Sequence, residues 1–348
     1  MAELVLPEKT SWEIIAKSGL PAVIYGMGNG ADKVIDEFSR LGIPVKGVCA
    51  SDDFVRGQSF RGFTVKKLSE FTGDFILCIA FGTQRPEVIE HIVNLSKNYK
   101  TVVPVVPVYG NEIFNRDFVN KNIEELNEAY SLFSGISAEI FSGCISFMYS
   151  GNLDTLISSA TPKSEALENI LRPGDSETYL DIGAYKGDTV EEFLHYTGGS
   201  YSHIYAAEPD RKNYLSLCAN LSHLEKFTAL NTAVSSSCGK IRFASRGGRH
   251  SSSDLSAEEI DCTTVDEIIG DRGVTYIKID VEGEERAVLE GARNTIARFR
   301  PKLNIALYHK SRDIFEIPLL VKDINPEYKF EIRHHPYIPC WDMNLYCV

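Results

Sequence analysis

The sequence has no apolar run long enough to cross a membrane. Its most continuous apolar stretches, at 102–109 and 138–149, fall far short of the roughly 20 residues that a spanning helix needs. The first residues include early acids, where a secretory signal peptide has a basic segment followed by an apolar one. We therefore expect a cytoplasmic protein without a membrane span.

The sequence also has fewer basic than acidic residues and no closely spaced cysteine pair. Lys and Arg number 36 against 48 Asp and Glu, which gives a net charge of −12. A field of this sign repels nucleic-acid backbones and anionic bilayers, so nucleic acid is not an expected partner. The eight cysteines form no Cys-x-x-Cys pair, and therefore indicate neither a zinc site nor a disulfide framework.

What remains is ordinary globular composition, with 43% hydrophobic and 24% charged residues. A chain of 348 residues is long enough for two domains. The pattern of strands and helices predicts a smaller Rossmann-like α/β domain at 1–115, a helical connector at 116–174 and a second α/β domain at 175–348. Oligomeric state is not predicted.

A glycine turn follows the first predicted strand. Gly26, Gly28 and Ala31 fit the Gly-x-Gly-x-x-Gly/Ala spacing, and Asp52 follows the second strand, where a ribose-binding carboxylate would lie. One interpretation is a nucleotide, a nucleotide-sugar or NAD bound at Gly26, Gly28 and Asp52. The other is a tight strand-to-helix turn without a ligand, and the sequence leaves both open.

A different turn begins the second α/β domain. Asp181 ends a short apolar strand and is followed by Gly183 and Gly187, while Glu208 ends the next strand. An acid in front of the glycines would repel a pyrophosphate, but it suits an amino group or another cationic centre. A carboxylate at the end of the second strand is placed to accept the hydroxyls of a ribose. Together these positions predict a nucleoside site without a phosphate site, which is the chemical profile of S-adenosylmethionine.

Five motifs in the second half of the chain carry a family resemblance. In order they are YLDIGAYKGDT, YAAEPD, CTTVDEI, YIKIDVEGEERAVLEGA and RPKLNIALYHK. In this set and order the chain resembles the FkbM family of S-adenosylmethionine-dependent methyltransferases, over about residues 126–348. The most specific part is the run Ile-Lys-Ile-Asp-Val-Glu-Gly-x-Glu with Val-Leu-x-Gly-Ala after it.

The resemblance implies a class I methyltransferase fold, a mostly parallel Rossmann-like sheet with helices on both faces. The alternating pattern of the last 20 or so residues adds antiparallel C-terminal strands to that prediction. The resemblance also implies transfer to hydroxyl groups of sugars, glycan precursors or other small molecules. The implied cofactor-binding residues are Asp181, Gly183, Ala184 and Gly187 under the methionine part, Glu208 at the ribose, and Asp210, Asn231 and Ala233 beside the adenine.

Methyl transfer to a hydroxyl needs an aligned acceptor oxygen and benefits from a nearby base. Three candidates follow predicted strands on the cofactor side: His309, Asp280 and Glu282. Each also has a structural interpretation: a helix cap for Asp280, an ion pair with Lys278 or Arg286 for Glu282, and a buried core position for His309. No third obvious ligand accompanies the two carboxylates, so no metal is predicted.

Two further features are candidates for the acceptor site. Tyr337 and Trp341 could stack on a sugar ring, and the loop at 247–256 could close over the ligands or remain solvated.

Two other functions stay open. One is an NAD-dependent oxidoreductase that uses the first glycine turn, although no Tyr-x-x-x-Lys pair is visible. The other is a non-catalytic ligand-binding protein.

Overall fold

The computed structural model describes residues 3–243 and 258–348. These residues form two compact units. The first comprises residues up to Thr161 together with 308–311 and 334–343, and the second comprises the described residues of 162–307 together with 312–333 and 344–348. The domain boundaries after residues 115 and 174 stay predictions.

The first unit alternates strands and helices and then continues as helices. Its elements are α1 Ser11–Lys17, β1 Ala22–Tyr25, α2 Asn29–Leu41, β2 Val45–Ala50, β3 Ser59–Phe60, β4 Phe63–Thr64, β5 Lys66–Lys67, β6 Ile76–Ile79, α3 Pro86–Asn98, β7 Thr101–Val102, α4 Arg116–Lys121, α5 Ile123–Tyr130, α6 Gly135–Ser150 and α7 Leu153–Ser158.

The first unit is built on a parallel sheet with strand order β5-β2-β1-β6-β7. Its central strand β1 is wholly buried, as expected for a parallel strand covered on both faces. Helix α2 ends at Gly42, whose left-handed backbone stops the helix without a steric penalty. Trp12 packs edge-on against Phe38 of α2, with ring centroids 5.9 Å apart, in the core of this unit.

The second unit contains the larger sheet. The elements that lie mainly in it are α8 Lys163–Glu165, β8 Thr178–Ile182, α9 Asp188–Tyr196, β9 His203–Ala207, α10 Arg211–Asn220, β10 Phe227–Leu230, β11 Ala233–Val234, β12 Gly239–Phe243, β13 Glu258–Thr263, α11 Val265–Ile269, β14 Tyr276–Ile279, α12 Glu285–Glu290, α13 Arg293–Phe299, β15 Lys302–Ala306, α14 Asp313–Ile324, β16 Phe330–His334 and β17 Met343–Cys347. A π-helical turn, Ala166–Leu171, continues α8.

Among the described residues, seven strands form this sheet in the order β10-β9-β8-β14-β15-β17-β16. Strands β8, β9, β10, β14 and β15 run parallel, and β17 pairs antiparallel with β15. The expected fold class, a mostly parallel Rossmann-like α/β sheet with antiparallel C-terminal strands, is confirmed. The chain adds β9 on one side of β8 and later β14 on the other side. In open α/β sheets, such a reversal marks the crevice in which ligands bind, here at the carboxyl ends of β8 and β14.

Aromatic side chains fill part of the second unit's core. The ring of Tyr179 stacks on Phe193 of α9 at 4.5 Å and on Tyr276 of β14 at 4.7 Å. Burial of apolar ring surface is the main stabilising contribution here. These contacts fix α9 against the strands that carry the site.

The sequence VKKLSEF at residues 65–71 predicts a connecting helix, but the structure differs from this prediction. Lys66 and Lys67 form β5, which pairs with the end of β2, and a single 3-10 turn follows at Leu68–Glu70. Pairing at the sheet edge therefore overrides the local helical pattern. The predicted loop at 247–256, including Arg249 and His250, lies outside the described residues. Within residues 3–243 and 258–348, every helix falls short of the length and hydrophobicity that a membrane crossing requires.

Candidate functional site

The turn after β8 is held by bonds inside the chain. The amides of Gly183 and Ala184 both donate to the carbonyl oxygen of Ala207 at the end of β9, at 3.0 and 3.1 Å, and Gly187 donates to Ala184 at 2.8 Å. The amide of Tyr185 donates to the side chain of Glu208. With these amides already bonded, the turn is a poor cradle for a phosphate, in agreement with the sequence-based expectation.

Gly183 is required by close packing. Its φ angle is +82°, and a Cβ atom there would overlap the carbonyl oxygen of Asp280 beyond β14. A side chain would therefore separate the two strand ends that border the crevice. Tyr185 also has a positive φ angle, +49°, and its ring is about half exposed. The turn thus places an aromatic ring in an exposed position beside the crevice.

Asp181 is fully buried and has two partners from its own chain. The hydroxyl of Thr189 donates to Oδ2, and the Nζ atom of Lys278 lies 3.4 Å from Oδ1. Burial opposes the charge of Lys278, yet the nearby carboxylates of Asp181 and Asp280 outweigh it and raise the pKa above its usual 10.5. The cation that faces Asp181 is therefore Lys278.

Glu208 directly follows β9, beside the glycine turn, and is 6% exposed. Its Oε2 atom accepts a hydrogen bond from the amide of Tyr185 and its Oε1 atom accepts one from the amide of Asp210, both at 2.9 Å. Burial raises the pKa of Glu208, and these amide hydrogen bonds oppose the rise. The side chain of Asn213 also hydrogen-bonds this carboxylate. Of the about four hydrogen bonds that an ionised carboxylate can accept, one is left for a ribose hydroxyl.

The residues predicted to flank the adenine cluster beyond the same strand end. Asp210 caps α10 by accepting hydrogen bonds of 2.9 Å from the amides of Lys212 and Asn213. The side-chain amide of Asn231 donates to the carbonyl oxygens of Glu208 and Pro209, at 2.9 and 3.1 Å. Ala233 begins β11 and is buried. The structure thus brings Glu208, Asp210 and Asn231 together, with a capping role for Asp210.

The turn after β14 is fixed by a glutamate that the sequence reasoning missed. Glu285 is completely buried, and its Oε1 atom accepts hydrogen bonds from the amides of Val281 and Gly283, at 2.9 and 3.2 Å. This turn has left-handed backbone at Glu282, with a φ angle of +59°, and at Gly283. The only sequence signal was the last Glu of the Val-Glu-Gly-x-Glu run. Glu285 holds the turn that begins at Asp280.

The structural interpretations of Asp280 and Glu282 are not what the structure shows. Helix α12 starts at Glu285 after an N-cap residue, Glu284, so Asp280 does not cap it. Lys278 pairs with Asp181 and Asp280, at 3.4 and 3.9 Å. Arg286 pairs with Glu316 at 3.0 Å. Asp280 is partly exposed and Glu282 is exposed, so both remain candidates for contact with a ligand.

His309 belongs to the first unit, three residues beyond the end of β15. It is 1% exposed, its ring lies 4.2 Å from that of Tyr308, and its carbonyl oxygen accepts a hydrogen bond of 2.8 Å from Tyr109. Its role as a base stays a prediction.

Tyr337 and Trp341 also belong to the first unit, and both are half-buried. Their ring centroids are 5.8 Å apart, and a Cβ atom at Gly82 would overlap the ring of Trp341. Backbone hydrogen bonds of 2.8 and 2.9 Å between Thr83 and Ile338 fix this segment beside Gly82. The part of each ring that stays exposed is the surface left for an acceptor.

The first glycine turn has a packing reason of its own. A Cβ atom at Gly26, whose φ angle is +138°, would come within 2.9 Å of the carbonyl oxygen of Ala80. Gly28 is the N-cap residue of α2 and has open space around it. Asp52 is exposed and pairs with Lys67 at 3.2 Å. Packing on Ala80 accounts for Gly26 without a ligand, and a nucleotide at Gly26, Gly28 and Asp52 stays a hypothesis.

A separate groove of about 500 Å³ lies on the sheet face at β9 and β10. Of the described residues that line it, none is a predicted cofactor residue; they are His203, Tyr205, Thr228, Leu230, Thr232, Thr263, Glu267, Ile268 and Arg272. The predicted cofactor residues instead gather at the carboxyl ends of the strands.

Residues 181–333 match the family model of the methyltransferase FkbM domain. This match supports methyl transfer as the function. The matched segment begins at Asp181 and contains Glu208, Lys278 and Glu285. No curated protein matches the chain.

Solved structures add information about the fold. The chain is similar to the crystal structure of methyltransferase FkbM from Methylobacillus flagellatus KT, with 21% identity, a TM-score of 0.73, and coverage of 99% of this chain and 94% of that one. A more distant similarity is to fibrillarin from Aeropyrum pernix, solved with S-adenosyl-L-methionine, with 15% identity, a TM-score of 0.37, and coverage of 55% and 74%. The first similarity supports the methyltransferase-type Rossmann-like fold.

Proposed function

We propose that the chain is an S-adenosylmethionine-dependent methyltransferase that methylates a hydroxyl group of a sugar, a glycan precursor or another small molecule. The domain match at 181–333 supports methyl transfer. The choice of oxygen as the acceptor atom follows from the resemblance of the sequence motifs to the FkbM family. The residues at the carboxyl ends of β8, β9 and β14 favour S-adenosylmethionine as the cofactor.

The arrangement of Glu208 is the observation that carries the choice of cofactor. Backbone amides of Tyr185 and Asp210 orient the carboxylate from two sides at the end of β9. A carboxylate held in this way at the end of the second strand favours the hydroxyl groups of a ribose, because it is already oriented and keeps acceptor capacity for a ligand. The neighbouring glycine turn uses its amides internally, which disfavours a pyrophosphate. A nucleoside without phosphates fits these groups better than a dinucleotide.

When bound, S-adenosylmethionine supplies a methyl group on a sulfonium centre. In the proposed complex Glu208 accepts hydrogen bonds from the ribose hydroxyls, and Asp210 and Asn231 lie on the adenine side. The turn at Gly183, Ala184 and Gly187 supports the methionine part. Alignment of the acceptor oxygen and exclusion of water supply much of the rate enhancement in a displacement of this kind.

The acceptor side of the proposal rests on five residues. Asp280 and Glu282 have exposed surface at the turn beyond β14, where they can orient an acceptor hydroxyl. His309 is the proposed base that takes the hydroxyl proton, because a neutral imidazole has a ring nitrogen that can accept a proton. Tyr337 and Trp341 are proposed to stack on a sugar ring.

The proposal is tested by transfer of a labelled methyl group. The full-length chain is incubated with methyl-labelled S-adenosylmethionine and a panel of sugars, nucleotide-sugars, glycan precursors and hydroxylated small molecules, and the products are analysed by mass spectrometry. The expected product carries one added methyl in an ether linkage, which resists mild base. A methyl on nitrogen or in an ester would overturn the hydroxyl assignment. A reaction without the chain is the negative control, and Glu208→Gln should lower the rate when S-adenosylmethionine is limiting.

A further inference from the structure

Lys278 is a charged residue in the middle of a buried strand. Its neighbours on β14, Ile277 and Ile279, are fully buried, and Lys278 itself is 8% exposed. In the sheet register it lies opposite Asp181 of β8. The side chain therefore crosses the junction between β8 and β14, where the strand order reverses.

The ammonium group of Lys278 contacts both sides of the crevice. Its Nζ atom donates a 3.2 Å hydrogen bond to the carbonyl oxygen of Gly183 in the turn after β8. The same atom lies 3.4 Å from Asp181 Oδ1 and 3.9 Å from Asp280 Oδ2 beyond β14. One cation thus joins the glycine turn to the carboxylate that begins the second turn.

Fold stability alone is a weak reason for such an arrangement. Removing two charged groups from water opposes folding, and well-packed apolar residues of the same volume often stabilise a protein as well or better. Tyr276, two residues earlier and on the same face of β14, is buried and stacks on Tyr179, so this face of the strand already holds an uncharged side chain. A buried ion pair that adds little net stability is better explained by the geometry that it imposes.

We propose that Lys278 is a positioning residue of the cofactor site, which holds the Gly183 turn and the Asp280 carboxylate in fixed relation across the crevice between β8 and β14. This inference rests on the proposed function for the identity of the ligand. Lys278 contacts Gly183 and Asp181 on the β8 side and Asp280 on the β14 side. Glu285 separately accepts hydrogen bonds from two amides of the turn after β14. Loss of Lys278 frees both turns without removing any group that touches the ligand.

The adjacent strand offers a matched control. Lys302 of β15 lies 2.6 Å from Glu177 Oε1 and donates a 3.0 Å hydrogen bond to the carbonyl oxygen of Arg172. It is a partly buried lysine–carboxylate pair on the same sheet, but it lies at the start of β15 and therefore at the opposite end of the sheet from the crevice. Lys302→Met removes a comparable ion pair away from the proposed site.

The experiment compares Lys278→Met and Lys302→Met with the wild-type chain by two readouts. Amide hydrogen exchange without ligand reports on residues 183–187 and 280–285, and calorimetry measures the affinity for S-adenosylhomocysteine. For Lys278→Met we expect exchange at least tenfold faster in both segments and about tenfold to hundredfold weaker binding, as for the loss of a charged hydrogen bond. For Lys302→Met we expect wild-type values of both.

The outcomes separate the inference from the proposed function. Wild-type exchange and affinity in Lys278→Met, or equal losses in both variants, would overturn the role of Lys278. If the wild-type chain does not bind S-adenosylhomocysteine, the proposed function fails, and the exchange data alone decide whether Lys278 links the two turns. If Lys278→Met does not fold, Lys278→Gln, which keeps most of the volume without the charge, is measured in the same way with the same expectations.

Discussion

The backbone amide of Tyr185 donates a 2.9 Å hydrogen bond to Oε2 of Glu208. Tyr185 stands where a dinucleotide-binding turn has its middle glycine, and its left-handed backbone aims the amide at the end of β9. The glycine turn and the proposed ribose carboxylate are therefore parts of one hydrogen-bonded unit. Changes at either residue are expected to affect the same ligand.

Glu208→Gln should weaken the binding of S-adenosylhomocysteine by about tenfold or more, because a neutral amide replaces a charged acceptor of the ribose hydroxyls. Calorimetry measures the effect. Glu225→Gln, at an exposed position in the same unit, is the matched control and should bind like the wild type. Unchanged affinity in Glu208→Gln would exclude this carboxylate from the site.

The affinity for S-adenosylhomocysteine should also depend on pH through Glu208. Burial raises the pKa of this carboxyl above its usual 4.5, although the amides of Asp210 and Tyr185 oppose the rise. Binding needs the ionised form, so affinity should be full above the raised pKa and fall as pH is lowered through it. Titrations from pH 7.5 down to 4.5 test this. An equally steep fall in Glu208→Gln would assign the dependence to another group.

Gly183→Ala should destabilise the chain strongly. The new Cβ atom would overlap the carbonyl oxygen of Asp280, and the positive φ angle adds strain. Gly198→Ala measures the backbone strain without a steric overlap, because Gly198 has a φ angle of +60° and open space around it. We expect a loss of about 1 kcal/mol in the free energy of unfolding for Gly198→Ala and about 3 kcal/mol or more for Gly183→Ala, measured by urea titration. Equal losses would contradict the close contact.

Unfolding in acid should depend on His334. Burial, together with the nearby charge of His335, lowers the pKa of His334 to about 3. The unfolded side chain titrates near 6.5, so the stability linked to neutral His334 is fully present above that pH and is lost as pH falls toward 3. The slope approaches about 1.4 kcal/mol per pH unit between these limits. His334→Asn should flatten the dependence of unfolding free energy on pH between 6.5 and 4.5, whereas His195→Gln, at an exposed histidine, should not.

His309→Ala should retain binding of S-adenosylhomocysteine and lower the rate of methyl transfer by about 10² to 10⁴, the usual contribution of a general base. The assay is the labelled-methyl transfer with an acceptor found in the panel. A wild-type rate in His309→Ala removes the histidine from the mechanism. Loss of binding together with rate would indicate a structural role.

The second unit's sheet was predictable because each strand and turn has a local signal. The apolar residues before Asp181 and before Glu208 predicted the two strands that border the glycine turn. The alternation of apolar and polar residues near the C-terminus predicted β16 and β17. The sequence shows the lysine of the Ile-Lys-Ile-Asp run, but it does not predict which carboxylate pairs with this lysine. Lys278 pairs with Asp181 through the register of β14 against β8, and a register between strands so distant in the chain is not encoded locally.

Backbone conformation was also beyond the sequence. Tyr185 and Glu282 both have positive φ angles, which non-glycine residues seldom adopt, so no residue pattern announces them. Glu285 reads as one of several helix-starting acids, and only the structure shows it accepting the amides of the preceding turn. The two lysines of β5 fit a local helical pattern. Their pairing with the end of β2 is a tertiary contact, which the local pattern does not contain.

The most direct test of the central claim is calorimetric titration of the full-length chain with S-adenosylhomocysteine, with NAD and a nucleotide-sugar titrated in parallel. The account predicts that S-adenosylhomocysteine binds with a dissociation constant in the micromolar range and that Glu208→Gln weakens this binding. Binding of NAD without binding of S-adenosylhomocysteine would contradict the account and move the chemistry to the first glycine turn, at Gly26 and Gly28.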